Sequence, residues 1–323
     1  MEGSMKIGRI FSWCGVVTLM LCMLTPSVTA QTTAPQTGSG LSISPTRNEL
    51  TLEPGKSEKV TITLKNVTTG DLITRAQIND FESDNETGEP KLIVDTTKQS
   101  TSSVKPFVSG LVDTSLKAGD RKDVVITVKV PDDYPPGAYY GIVRYVAVPA
   151  NREQTKDTQV ALTASVGSLL LITVPGSITE KIQVPKVQVM RQGVTRRFFT
   201  QAPDQVSVTI RNLGNGFSKP FGKVTINGPG GQAFSYELNA TDPRSNILPN
   251  STRIFKDAVK NIKKPGRYTV YANVSHGSGG EVLVTKTSFW YLPRWFMIAI
   301  VVLIAVLVAV IAYFVTRRGK KRR

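Results

Sequence analysis

The sequence predicts an all-β chain built as two copies of one sandwich, followed by a single C-terminal transmembrane helix. Three observations predict it. Apolar and polar residues alternate in one stretch after another between residues 41 and 292. Two sequence marks recur in the same order in the two halves. Residues 296–315, FMIAIVVLIAVLVAVIAYFV, carry no charge, and Arg317, Arg318, Lys320, Lys321, Arg322 and Arg323 follow at once. A helix of that length spans about 30 Å, the hydrocarbon thickness of a bilayer. Lys and Arg resist translocation, so the basic tail 316–323 is expected on the cytoplasmic side. A buried helix of a soluble core would leave that basic run unexplained.

The N-terminus agrees with this topology. Lys6 and Arg9 precede an apolar stretch over 10–24, and Val28-Thr29-Ala30 is a small-residue cleavage site, so 1–30 reads as a signal peptide. Gly15, Thr18 and Pro26 interrupt the run, against a second membrane span. Residues 31–40, QTTAPQTGSG, read as a flexible leader. The expected product is a single-pass type I cell-membrane protein with most of its chain outside. Both cysteines fall in the signal segment, so the mature chain has no disulfide or thiolate chemistry and stands on its hydrophobic core.

Strand patterns fill the rest. In KVTITLKN (59–66), Val60, Ile62 and Leu64 alternate with polar residues, the period of a half-buried strand. DVVITVKV (123–130) repeats it with Val124, Ile126 and Val128. A Gly-bearing turn precedes each at the same offset, Leu52-Glu53-Pro54-Gly55 and Leu116-Lys117-Ala118-Gly119. The second and fifth strands of an immunoglobulin-like sandwich are neighbours in one sheet, and these segments fit those places.

The larger repeat relates the halves. VTITLKNVTTG (60–70) matches VSVTIRNLGNG (206–216), and each half later carries P-G-x-Y, at Pro136 to Tyr139 and at Pro265 to Tyr268. Two immunoglobulin-like domains follow, over 41–176 and 177–292. The first copy is longer, and its extra residues are expected in the polar stretch 80–106, as a binding loop or a solvated spacer. Pro185, within IQVPKVQV (182–189), suits an edge or a strand switch.

Charge divides the halves. Residues 31–176 hold 15 basic and 17 acidic residues, whereas 177–293 hold 16 basic and 6 acidic. The basic half lies next to the membrane, so anionic lipid or wall polymer is the expected partner and nucleic acid is not. Lys256, Lys260, Lys263, Lys264, Arg196 and Arg197 are the candidate anionic-surface residues. Tyr139 and Tyr140 are adjacent on a strand, so one faces inward and one outward. Together with Arg144 they form a candidate ligand surface, on which an outward Tyr would stack a sugar ring or simply pack.

Other features point away from catalysis. His276, in HGSGG (276–280), has no nucleophile motif with it and reads as a polar residue at a hairpin tip. Asp80, Glu82, Asp84, Asn85, Glu86 and Glu89 make an acidic loop, readable as a calcium site or a solvated turn, although Gly88 is out of step with calcium-loop spacing. Asn66, Asn85, Asn239, Asn250 and Asn273 each start a glycosylation sequon. Trp290, Tyr291 and Trp295 suit the outer membrane interface. No enzyme, cofactor or metal site is expected.

LEPGKSEKVTITLKN (52–66), LKAGDRKDVVITVKVP (116–131) and PPGAYYGIV (135–143), together with the overall layout, resemble the WxL-interacting proteins of Gram-positive cell surfaces. The resemblance implies a signal peptide, two immunoglobulin-like domains, a membrane helix and a basic tail. It also implies peptidoglycan binding by the first domain and binding of host or partner surfaces by the second. The expected function is a non-enzymatic, membrane-anchored surface protein that binds cell-wall glycan or partner surface proteins in adhesion or as a scaffold. The alternative is an accessory subunit of a membrane-bound export, assembly or sensing complex.

Overall fold

The computed structural model describes residues 40–94, 100–149, 164–277 and 281–320. The expected signal peptide, the leader up to residue 39 and the last three residues of the tail lie outside the described residues.

The first domain runs through eleven strands. These are β1 (Leu41–Ser44), β2 (Arg47–Thr51), β3 (Ser57–Asn66), β4 (Leu72–Asn79), β5 (Phe81–Ser83) and β6 (Pro90–Leu92). They continue as β7 (Val108–Ser109), β8 (Thr114–Leu116), β9 (Arg121–Lys129), β10 (Gly137–Pro149) and β11 (Ala164–Val174). The second domain adds β12 (Ile182–Arg191), β13 (Val194–Thr195), β14 (Phe198–Phe199), β15 (Gln205–Asn212) and β16 (Phe221–Gly228). It closes with β17 (Gly231–Leu238), β18 (Thr252–Ala258), β19 (Gly266–Ser275) and β20 (Val282–Tyr291), and α1 (Arg294–Lys320) follows.

Among the described residues the chain is thus all-β before α1, apart from one 3-10 turn, with two immunoglobulin-like sandwiches in tandem. One pair of sheets has the orders β1-β3-β9-β7 and β2-β11-β10-β4-β8. The other has β13-β12-β15-β18 and β14-β20-β19-β16-β17. The copies correspond closely. β3 and β9 pair antiparallel, as do β15 and β18, and a short strand pairs parallel with the last strand in both, β2 with β11 and β14 with β20.

The alternation decides which side chains go inside. In β3 and β9, Val60 lies opposite Ile126 and Ile62 opposite Val124, all buried. Each such side chain contributes roughly 1.5–3 kcal/mol on leaving water, as an upper figure. Two separate cores result. One centres on Ile62, Leu64, Ile126, Tyr145 and Leu170, the other on Ile210, Ile226, Val270 and Phe289. Pro185 falls where the β12–β15 register shifts, between Gln183 and Lys186, so its missing N–H costs no ladder bond.

Both repeated marks have a physical cause. Each P-G-x-Y is a tyrosine corner: the Tyr139 hydroxyl donates to the Pro135 carbonyl at 2.8 Å, and Tyr268 donates to Lys264 at 2.6 Å. Each Asn is a buried plug. Asn66 Nδ2 donates to the carbonyls of Gly70 and Lys117 (2.7 and 2.9 Å), and Asn212 Nδ2 donates to Gly216 and Ile247 (2.8 and 3.0 Å). Asn239 is buried as well and donates to Pro220 and Ser245, so the sequons at Asn66 and Asn239 have their amide nitrogens committed to the fold. His276 lies on the β19–β20 connection but is buried rather than a free tip, 4.0 Å from Glu281.

The copies diverge where the length difference placed it. β4 is followed by the hairpin β5–β6 and a 3-10 turn over Lys105–Phe107, whereas β16 turns straight back into β17. The helix α1 contains a stretch, Arg294–Phe314, long and apolar enough to cross a bilayer, and its apolar window is unburied among the described residues.

Candidate functional site

The acidic stretch 80–89 bridges the domains at its tip, while Glu82, Asp84, Asn85, Glu86 and Glu89 stay exposed. Asp80 is fully buried and fixes the base of the hairpin, accepting from the Ser103 hydroxyl at 2.6 Å and pairing with Lys105 at 3.1 Å. Asp84 Oδ1 accepts the amides of Glu86 and Thr87 and shapes the tip. The tip then reaches the second domain, where the Ile254 amide donates to the Glu86 carbonyl at 2.9 Å and the Thr252 amide to Asn85 Oδ1 at 3.4 Å. Gly88 has φ +69°, a left-handed conformation that favours glycine, and a Cβ there would come within 2.7 Å of Arg253 Cδ, so a larger residue would have to displace the Arg253 side chain at the domain contact.

An apolar seam lies beside this bridge. Phe81, Leu171 and Leu248 are buried together, with Tyr140, Ile142, Leu169 and Phe217 against them. The Tyr140 ring lies 5.0 Å from Phe81 and 6.2 Å from Phe217, centroid to centroid. Asn215 stitches the other side: its carbonyl accepts the Ala138 amide at 2.9 Å, and its Oδ1 accepts the Thr179 amide at 2.7 Å.

A polar cleft of about 490 Å³ opens next to the seam, lined by Glu49, Leu171, Phe217, Lys219, Arg244 and Asn246 among others. Lys219 Nζ meets Glu49 Oε2 at 2.5 Å across the domains, and the Arg47 guanidinium also contacts Glu49. Burial alone would raise the Glu49 carboxyl, but the Lys219 hydrogen bond and the charges of Arg47 and Lys219 outweigh it and hold the group below the ordinary carboxylate range. A lowered folded value means that its contribution is complete above the unfolded value, about 4.3, and is lost as pH falls through the folded one. Domain docking is therefore expected to loosen below about pH 4, read as amide exchange at Ile254, and Glu49→Gln is expected to flatten that dependence. An unchanged profile in the variant would remove Glu49 from the seam.

The candidate ligand residues separate. Tyr139 is a core residue and makes the first tyrosine corner. Tyr140 faces outward from its own sheet but is covered by Phe217 of the second domain. Arg144 stays on the open part of that outer face, with Nη2 donating to Gln77 Oε1 at 2.5 Å and Nε without an acceptor. Ile73 and Arg75 of β4 extend the same face beside Val148 and Val146.

The basic candidates are all exposed. Arg196 and Arg197 join β13 to β14, and Lys260, Lys263 and Lys264 lie on the β18–β19 connection. Both connections sit at one end of the domain, because Gln205 pairs with Met190 and Ala258, and Tyr291 with Gly266 and Phe199. That end is where β20 leaves for α1. Lys256 stands two residues back along β18. Sequence reasoning missed Glu49, Lys219, Phe217 and Leu248, which carry no local pattern. Asn66 and Asn212 stood out as repeat marks, but their hydrogen bonds to distant loops did not.

No protein-family model matches the chain, and no curated protein matches it. Among solved structures, the YadV chaperone is similar at 11% identity and a TM-score of 0.36, covering 77% of this chain and 100% of its own. The E. coli chaperone DraB is similar at 15% identity and 0.34, covering 77% and 96%. The Pseudomonas aeruginosa CupB2 chaperone is similar at 12% and 0.33, covering 76% and 97%.

Proposed function

We propose that the chain is a non-enzymatic, membrane-anchored bacterial surface protein that binds cell-wall glycan or partner surface proteins in an adhesion or scaffold role. The bulk of the chain stands outside the cell, and α1 is the anchor. The observation that carries this reading is the domain seam. Two sandwiches locked by the β5–β6 hairpin and by Asn215 form a stiff arm on α1, and the outer face of β4 and β10 is left open on it. That face carries Arg75, Gln77 and Arg144, and guanidinium groups suit the carboxylates and phosphates of wall polymers. The resemblance to the WxL-interacting proteins favours peptidoglycan as the partner of the first domain.

Sedimentation of the full chain, in detergent, with purified cell-wall sacculi tests this. The wild type is expected to co-sediment, and the Arg75→Ala, Arg144→Ala double variant to bind about tenfold more weakly, the loss of one or two charge-assisted hydrogen bonds. Equal binding by the variant would remove this face from the reading. The cleft beside Glu49 and Lys219 favours a second reading, an accessory subunit that receives a protein segment there in an export, assembly or sensing complex. A wild-type chain that ignores sacculi and migrates in a larger native membrane complex would favour it.

A further inference from the structure

The end of the second domain facing α1 holds a pocket of about 280 Å³ lined by Arg191, Arg196, Phe198, Phe199, Thr200 and Arg294, among others. We propose that this pocket binds the phosphate headgroup of an anionic phospholipid in the leaflet on the domain's side. The inference rests on the anchoring by α1 in the proposed function and adds a defined ligand site to it.

Position comes first. The Trp290 amide donates to the Arg197 carbonyl at 2.7 Å, and the Leu292 amide to the Phe199 carbonyl at 2.8 Å. The segment carrying the pocket is thereby pinned to the last residues before the helix. Arg294, the first residue of α1, forms one wall. A pocket sharing a wall with the first turn of a membrane-spanning helix lies at the depth of the headgroups.

Chemistry agrees. Three guanidinium groups line the space, and a guanidinium matches phosphate oxygens with a planar fork of donors. Arg191 is held by Nη1 donating to the Ala202 carbonyl, which orients it at little further entropic cost. The surrounding charge is mainly basic. Lys260, Lys263, Lys264 and Arg267 share this end, and the carboxylate nearest in the chain, Asp204, accepts the Gln192 amide at 3.2 and 3.1 Å. The apolar residues agree as well. Phe198 is 65% exposed, beside its register partner Trp290 at 41%, and Trp295 is 61% exposed. Exposed rings at this end of the domain, with Phe198 lining the pocket itself, fit the boundary between headgroups and acyl chains.

Native mass spectrometry of the delipidated full chain, titrated with phosphatidylglycerol or phosphatidylcholine, tests this. The wild type is expected to retain phosphatidylglycerol in preference to phosphatidylcholine. Arg191→Gln with Arg196→Gln should lower that retention about tenfold, and Arg294→Gln, which lies outside the sandwich, should lower it without touching the fold. The control pair Lys260→Gln with Lys263→Gln removes the same charge and should change it less than about twofold, as for exposed charges. Equal losses from both pairs, or equal retention of the two lipids, would overturn the pocket in favour of diffuse surface charge. Displacement of the lipid by millimolar inorganic phosphate would overturn the lipid as its ligand. Release of the wild-type chain from membranes by alkaline carbonate would instead overturn the anchoring reading.

Discussion

Alanine at Asn66 is expected to cost the first domain about 3 kcal/mol, since each buried polar group left without a partner costs about 1–3 kcal/mol. The Asn66 amide is fully buried. Its nitrogen donates to the carbonyls of Gly70, Lys117 and Leu116 (2.7, 2.9 and 3.3 Å), and its oxygen accepts from the Thr68 amide and hydroxyl (2.9 and 2.7 Å). One side chain thus ties the turn after β3 to the loop before β9. Alanine leaves several of these groups dry and unpaired. Aspartate is expected to be worse, because it would set a carboxylate against backbone carbonyls. Asn212→Ala should do the same to the second domain, where Gly214, Gly216 and Ile247 lose their partner. Amide exchange in β3 and β9, or in β15 and β18, resolves the two domains separately. A loss below about 1 kcal/mol, the net value of one ordinary hydrogen bond, would show that water replaces the plug.

Leu248→Asp is expected to uncouple the two domains. Leu248 is buried against Phe81 and Leu171, residues of the other domain. A carboxylate there has no basic partner among the seam residues, and burying an unpaired charge costs far more than leaving the seam open. The domains should therefore part while each core survives. Calorimetry of the full chain in detergent is expected to change from one coupled transition to two. Small-angle scattering should report a larger radius of gyration. A single transition at the wild-type temperature would mean that the hairpin contacts at Ile254 and Thr252 hold the domains without the apolar seam.

The sandwich fold was legible because its signals are local. Period-two runs such as VTITLKN need only a few residues to declare a strand and its inner face. The tandem copy was legible because its two marks, the plug asparagine and the corner tyrosine, are demanded by the same backbone turns in both domains. What lay hidden depends on distant partners. The role of the acidic stretch rests on β18, more than 160 residues further along the chain. Alternation sends one of Tyr139 and Tyr140 outward, and within its own sheet that one is Tyr140, but alternation cannot show that a second domain covers that face. The basic residues were visible as a composition. Their collection at one end follows only from the register of β15 against β12 and β18.

The β5–β6 hairpin has one more consequence. β18 is the last strand of its sheet, and its outer backbone groups would otherwise stand ready to pair with another chain. Under the proposed anchoring by α1, copies share the plane of one bilayer and meet often, so such an edge is a hazard of crowding. The tip of the hairpin occupies the Ile254 amide, and the exposed Lys256 guards the stretch beyond. The first domain thus acts as a cap on the second. Resistance to self-association on the membrane then depends less on either sandwich's own stability than on how tightly the two stay docked.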